Sequence, residues 1–332
     1  MTTNFSALWV TKSDIGKYVP QIAKRQISDL PAGEVLVRVE YSSLNFKDML
    51  SVQGHPAVTQ QYPHQPGIDA AGVVEQSSNP NFVVGDAVIV TGYDLGMNTA
   101  GGLGQYIRVP SSWVIPLPAG LSTKEAMSYG TAGFTSALCL EKLIAQGATA
   151  DGGAVAVTGA TGGVGIFAVA LLAKLGFSVA AATGKLESEK MLKELGAAEV
   201  FDREELMQLP NLLEAPRFAH AIDVLGGEYL ANLFKIIDYG GSVSSCGLAA
   251  SPEIPTTVMP FIIRNINLLG VDCVEQPLTK KIEVWGRLAS EWKLDNLDQL
   301  VEEITLSQVP DYLDRIKNGT VVGRYLVNMS SD

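Results

Sequence analysis

Short apolar runs alternate with longer helix-like stretches through the middle of this chain, and the two rhythms predict strands and helices in turn. Ala154–Val157 reads as a strand, Ile166–Leu175 as a helix, and Gly176 as a helix stop before a second strand at Ser178–Ala182. Further strands are predicted at Val200, Ala221–Asp223, Gly241–Cys246 and Leu268–Cys273, which makes six. Six strands with helices between most of them predict a doubly wound parallel sheet. Residues 5–115 follow another rhythm: Glu34–Tyr41 alternates like a strand, and Gly85-Asp86 marks a turn before Ala87–Thr91. A β-rich domain is expected there. After Leu117-Pro118, Ser122 with Glu125 three residues on reads as a helix cap, and Ala126–Leu143 as one long helix.

The tail is mixed, with a helix expected at Glu283–Leu294, a strand at Glu303–Leu306, a helix at Gln308–Lys317 and a last strand at Arg324–Val327. Because a β-rich domain precedes the parallel sheet and mixed elements follow it, the tail is expected to return to the first domain. The expected organisation is one domain from residues 1–121 and 275–332 and a second from residues 122–274.

Composition narrows the class. At 332 residues the chain is long for one small core, and 47% hydrophobic with 18% charged residues describes an ordinary globular protein. A net charge of -11 argues against a general nucleic-acid or anionic-membrane surface. No apolar run reaches the length of about eighteen residues that a membrane span needs. Met1–Val10 lacks the basic start and apolar core of a signal peptide, so a cytoplasmic location is expected. Cys139, Cys246 and Cys273 are widely spaced in small or apolar surroundings and read as reduced core residues.

Between Val155 and Gly165 the chain reads Val-Ala-Val-Thr-Gly-Ala-Thr-Gly-Gly-Val-Gly, with Gly159, Gly162 and Gly165 placed between a strand and a helix. Such glycines turn the chain tightly, bring backbone N–H groups against a pyrophosphate and pack helix on strand. The next strand ends in Thr183-Gly184-Lys185, where an NAD-binding fold usually carries an acid for the ribose hydroxyls. Without that acid, and with Lys185 as a positive charge, NADPH is expected over NADH. Glu187 is the rival acid, expected on the following helix facing solvent, and Lys185 alone could be an ordinary surface lysine.

The whole arrangement resembles the medium-chain dehydrogenase/reductase superfamily: a GroES-like β-rich catalytic domain plus a Rossmann domain. Its zinc alcohol dehydrogenases carry Gly-His-Glu-x-x-Gly, where this chain has Gly67-Ile68-Asp69-Ala70-Ala71-Gly72. The segment that holds their first zinc cysteine reads Ser43-Leu44-Asn45-Phe46-Lys47-Asp48, the structural-zinc lobe is missing between Gly92 and Gly104, and His55, His64 and His220 form no ligand spacing. Zinc-free chemistry is therefore implied. Ser42–Asp48, Pro66–Asp69, Gly130–Thr135 and Pro255–Ile262 are similar to one zinc-free branch, the NADPH-dependent acrylyl-CoA reductases, also grouped with quinone oxidoreductases.

That resemblance implies hydride delivery to the β-carbon of acryloyl-CoA and protonation of the resulting enolate, giving propanoyl-CoA. The alternatives are an NADPH quinone or enone oxidoreductase of the zeta-crystallin type and a non-enzymatic cofactor sensor. Asn45 is the candidate donor to an oxyanion or to the nicotinamide ribose, and Asp48, near one helical turn on, the candidate to orient it or relay a proton. Asn is also a favoured helix cap, and Asp48 could serve a structural bond or a salt bridge with Lys47. Phe46 matches an aromatic position near the nicotinamide where relatives commonly have Tyr. Thr161, Gly162, Gly163 and Val164 match the phosphate turn, and Thr183, Gly184 and Lys185 the 2′-phosphate pocket. Arg203 is a candidate for adenine or phosphate, or a surface arginine; Leu248, Ile262 and Cys273 match the nicotinamide side, or are core. Arg324 is the candidate for a phosphate of CoA or cofactor, or for an internal salt bridge. A homodimer through the last sheet strand, near Leu268–Val274, completes the expectation.

Overall fold

Alternating valines, Val35, Val37 and Val39, build the central strand of the first sheet. The computed structural model describes residues 4–330, so Met1–Thr3 of the segment read for a signal peptide, and the outermost ends of the first expected domain, lie outside the described residues. In chain order the first elements are β1 (Asn4–Lys12), β2 (Tyr18–Gln26), β3 (Val35–Ser43), α1 (Phe46–Val52), β4 (Asp69–Ser77), β5 (Ala87–Thr91), β6 (Tyr106–Val109) and β7 (Val114–Pro116). Then come α2 (Thr123–Ala145), β8 (Val155–Val157), α3 (Gly163–Lys174), β9 (Val179–Thr183), α4 (Glu189–Glu194), β10 (Glu199–Asp202), β11 (Phe218–Asp223) and α5 (Gly227–Ile236). The last are β12 (Ile237–Ser245), α6 (Met259–Ile263), β13 (Asn267–Gly270), α7 (Leu278–Leu288), β14 (Val301–Thr305), α8 (Val309–Lys317) and β15 (Arg324–Asn328).

The chain divides into two units. The first takes residues up to Thr131, Val274–Glu291 and the chain from Asp295 onward; the second takes Ala132–Cys273 with Trp292–Leu294. In the first unit β14-β15-β3-β4-β5-β7 form one sheet, β6 adds to β3, and β1 and β2 form a hairpin. The tail does return here, since β15 pairs antiparallel with β3, Leu326 opposite Ser43. Val35, Val37 and Val39 of β3 pack with Val88 and Val90 of β5 in the main core of this unit.

The second unit holds a six-stranded parallel sheet in the order β10-β9-β8-β11-β12-β13. Numbered from β8, that is 3-2-1-4-5-6, the doubly wound order whose direction reverses between the first and fourth strands. Ligands of such sheets bind beyond the carboxyl ends of the strands at that reversal. The glycine turn after β8 and Asp223 at the end of β11 both stand there.

Helix α2 differs from expectation. Its start is capped as read, with Ser122 N–H donating to the Glu125 carboxylate at 2.8 Å and Glu125 N–H to Ser122 Oγ at 3.2 Å. It is not one continuous helix, because Gly130 has φ 48° and ψ −156° and breaks it. The division between the units also falls after Thr131 and not at residue 121. The reason is local: the break turns Thr131 toward the first unit's sheet, where it bonds Asp69 twice.

Candidate active site

In the second unit the glycines act as a cradle. Gly159 adopts φ 59°, and a Cβ on it would lie 2.6 Å from Val224 Cγ2. A Cβ on Gly165 would overlap the Gly159 carbonyl, so no side chain fits between the turn and the first turn of α3. Gly162 is the N-cap of this twelve-residue helix, Gly163 its first residue and Val164 its second. No side chain caps the helix, which leaves its first N–H groups and its positive end for an anion. Thr161 is buried and its hydroxyl lies 3.1 Å from that of Thr183, tying the turn to the tip of β9.

At that tip the Thr183 hydroxyl also accepts the Lys185 backbone N–H at 3.0 Å. Gly184 is exposed, and a Cβ there would approach Arg203 Nε to 2.9 Å, so the glycine makes room for the guanidinium. Burial pulls the Lys185 ammonium below the usual lysine range; nearby Glu187 opposes this and Arg203 adds to it. Two cations thus flank one glycine. Glu187 is exposed on a single turn, Leu186–Ser188. Arg203 donates to Glu204 at 3.3 Å and lies 5.4 Å from the Tyr229 ring. Leu248 and Ile262, 60% and 75% exposed, are not core residues. Cys273 is half-buried, and the three cysteines read as widely spaced come together: hydrogen bonding to Cys246, then burial, then Cys246 and Cys273 nearby push the Cys139 thiol well up. All three are free thiols.

In the first unit the chemistry gathers around Asp69, wholly buried at the start of β4. One carboxylate oxygen accepts from Ser43 Oγ at 2.7 Å, Asn45 Nδ2 at 2.8 Å, Thr131 N–H at 2.9 Å and Arg324 Nη2 at 2.8 Å. The other accepts from Thr131 Oγ1 at 2.6 Å. Arg324 further donates from Nη2 to Ser43 Oγ at 2.6 Å and from Nη1 to Asn45 Oδ1 at 3.0 Å and the Leu44 carbonyl at 3.4 Å. Gly130 is required here as well as at the helix break, since a Cβ on it would overlap Arg324, Ser43 and Asp69 together.

Asp48, also wholly buried, accepts the Asn45 N–H at 2.8 Å and the Ile68 N–H at 2.9 Å. It pins the start of α1 to the approach of β4. Burial, with Asp69 close by, pushes its carboxyl up to about 7 against those hydrogen bonds. Burial likewise pulls Arg324 down, opposed by Asp69 and Asp48.

At three positions this geometry bears on the alternatives that the sequence left open. Arg324 is buried and bound to Asp69, so it holds the site together from within and is not presented to a ligand phosphate. Asn45 is at once the N-cap of α1 and part of the cluster; its amide N–H groups go to Asp69 and the Ser43 carbonyl, at 3.3 Å for the latter, and its Oδ1 accepts from Arg324 Nη1 and, as a capping box, from the Asp48 N–H. Asp48 bonds backbone N–H groups and not Lys47. Phe46 opens α1 and is 47% exposed.

Asp69 itself, with Ser43 and Thr131, escaped the sequence reading as a functional residue. Its signal was an acid inside the apolar run Ile68–Val74, and Gly130-Thr131 interrupting a helical pattern. Among the described residues no group of three or more His, Cys, Asp or Glu is placed to hold a metal, and no helix is long and apolar enough to cross a membrane.

A Rossmann sheet with a glycine cradle, and a separate β unit carrying a buried polar cluster, define a two-unit nucleotide-dependent oxidoreductase. Residues 163–289 match the zinc-binding dehydrogenase family and residues 31–119 the alcohol dehydrogenase GroES-like domain. The chain belongs to the medium-chain dehydrogenase/reductase superfamily. It is 43% identical to Putative quinone oxidoreductase YhfP of Bacillus subtilis over 99% of this chain and all of that one. That protein's structure with NAD bound superposes with a TM-score of 0.95, covering 98% of this chain and 99% of that chain. Acrylyl-CoA reductase AcuI of Ruegeria pomeroyi is 41% identical over 98% of this chain and all of its own. The yhdH oxidoreductase of Salmonella enterica, solved in complex with NADP, is 44% identical with a TM-score of 0.94, covering 97% and 99% of the two chains.

Proposed function

We propose that this protein is an NADPH-dependent, metal-free reductase of the activated double bond in a short acyl-CoA, with acryloyl-CoA as its substrate. The observation that carries the acyl-CoA assignment is the 41% identity to AcuI along nearly the whole chain. The cofactor fits the residues present: the Cβ-free turn and uncapped start of α3 suit a pyrophosphate, and Lys185 and Arg203 beside Gly184 suit a 2′-phosphate. When bound, NADPH supplies a hydride, which with a proton from solvent converts acryloyl-CoA to propanoyl-CoA.

Thr161, Gly162, Gly163 and Val164 hold the pyrophosphate, and Thr183, Gly184, Lys185 and Arg203 the 2′-phosphate. Phe46, Leu248, Ile262 and Cys273 flank the nicotinamide. Asn45 contacts the nicotinamide ribose through its amide, and Asp48 and Arg324 are positioning residues for it. Metal-free chemistry follows from Ile68, which has no ligand atom where zinc relatives have histidine. The first unit, which runs up to Thr131 and takes in the returning tail, is the catalytic domain, and the second, Ala132–Cys273 with Trp292–Leu294, the NADPH domain. The protein is a homodimer joined at β13, an edge strand whose Leu268 is exposed.

A quinone acceptor is the second reading, favoured by the 43% identity to YhfP. NADPH oxidation followed with acryloyl-CoA, crotonyl-CoA and a simple quinone in parallel separates the two. The highest kcat/KM is expected for acryloyl-CoA. A quinone preference of about tenfold, or 1.4 kcal/mol of transition-state binding, overturns the assignment.

A further inference from the structure

We propose that Thr91 is a catalytic residue whose hydroxyl donates to the carbonyl oxygen of the bound acyl thioester. The inference rests on the acyl-CoA reading above.

Thr91 ends β5 directly opposite Asp69 of β4 in antiparallel register. Side chains alternate along a strand, and Val88 and Val90 belong to the main core, so Thr91 lies on the other face of the sheet with the Asp69 carboxylate. Ser43, Asp69 and Thr91 therefore form one polar row across β3, β4 and β5. Ser43 and Asp69 are bonded to each other at 2.7 Å. Thr91 is only 2% exposed, and its hydroxyl has no partner among the described residues.

A buried hydroxyl without a partner is unfavourable, and valine would fill the same space without that penalty. Such a group is satisfied when a ligand atom meets it. The surroundings say which kind of atom. Asp69 already accepts five hydrogen bonds, and both N–H groups of Asn45 are engaged. The second unpartnered atom of this cluster, Arg324 Nε, is also a donor. The cluster is short of acceptors, so the complementary atom is an oxygen that accepts and gains negative charge, as a thioester oxygen does when its conjugated double bond takes up hydride.

Thr91 is also held from behind. Lys281 Nζ donates to its carbonyl at 2.7 Å and to that of Val274 at 2.9 Å, and lies 3.4 Å from the Tyr93 ring. Gly92 and Tyr93, at φ 75° and 52°, then turn the chain away. The hydroxyl is thus fixed on a strand end, which suits a preorganised donor.

The test compares Thr91→Val and Thr91→Ser with wild type. Thr91→Val is expected to melt at or above the wild-type temperature and to bind NADPH equally in a fluorescence titration, yet to lose about 100-fold in kcat with acryloyl-CoA. Thr91→Ser should keep most of the turnover. A loss under about tenfold in Thr91→Val, or a lowered melting temperature showing that the hydroxyl has an internal partner, overturns the inference. If wild type reduces neither acryloyl-CoA nor crotonyl-CoA, the acyl-CoA reading falls and this inference with it. Turnover by wild type matched by Thr91→Val sinks the inference alone.

Discussion

Each unit buries one aspartate completely at a strand end, and the two are held in opposite ways. Asp69 accepts from Arg324, a cation, as well as from Ser43, Asn45 and Thr131. Asp223 accepts from neutral groups: Thr158 Oγ1 at 2.7 Å, Gly226 N–H at 2.9 Å, Leu225 N–H at 3.3 Å and Ser245 Oγ at 3.3 Å. Burial raises the Asp223 carboxyl above its ordinary range despite those bonds. The difference separates two uses of one residue type. Asp223 shapes backbone, closing the turn into α5 beside the glycine cradle, whereas Asp69 sets the orientation of other side chains through a buried charge pair.

Removing each acid tests that contrast most severely. Asp69→Ala leaves a buried guanidinium unpaired and should cost about 3–5 kcal/mol in urea unfolding. Asp223→Ala removes only neutral bonds and should cost about 1–3 kcal/mol. Equal losses would mean that the Arg324 pairing contributes nothing special.

The neighbouring acid sharpens the comparison through pH. The Asp48 carboxyl, at about 7 when folded against a usual 3.8, stays protonated in the folded protein while the unfolded chain ionises. Its contribution to stability is therefore fully present at low pH, falls as pH rises from about 4 to about 7, and is flat above, a loss of a few kcal/mol. Asp223, also raised, acts in the same direction; His64 and His220, pushed down by burial, act in the opposite one. Unfolding midpoints of Asp48→Asn against wild type across this range isolate the Asp48 part, and parallel profiles would show that it ionises freely.

Gly130→Ala should cost at least about 1–3 kcal/mol from its backbone angle alone and should also lower kcat, because the added carbon enters the Asp69 cluster. A melting curve and turnover assay check both. The smallest effect belongs to the second unit's exposed tip: Lys185→Asp should move the NADPH:NADH ratio of kcat/KM about tenfold toward NADH with unfolding unchanged. An unmoved ratio would remove Lys185 from the 2′-phosphate site.

Much of the fold was legible because its signals are local. Glycines and short apolar runs marked β8, α3 and β9 to within a few residues, and the six strands appeared in order. Helix α7 runs Leu278–Leu288 and not Glu283–Leu294, since Pro277 starts it earlier than its apolar spacing suggested. The cradle was readable for the same reason as the strands: its parts are contiguous. The Asp69 cluster was not, because residues 43, 45, 69, 131 and 324 share no spacing, and it takes the pairing of β3 with β4 and β15, and the break of α2 at Gly130 for Thr131, to bring them together. Asn45 and Arg324 drew attention singly, and what each does depends on an acid whose role no local pattern reveals.

The distance along the chain between Asp69 and Arg324 has a consequence during synthesis. They stand 255 positions apart, so at about 5–20 residues per second the carboxylate emerges roughly 10–50 s before its guanidinium exists. Over that interval β4 has neither β15 beyond β3 nor a counter-charge, and water must remain on that face of the sheet. The nascent first unit therefore waits, half-sealed, while the whole parallel sheet is translated and free to fold, and the synthesis of β15 delivers the charge that closes it.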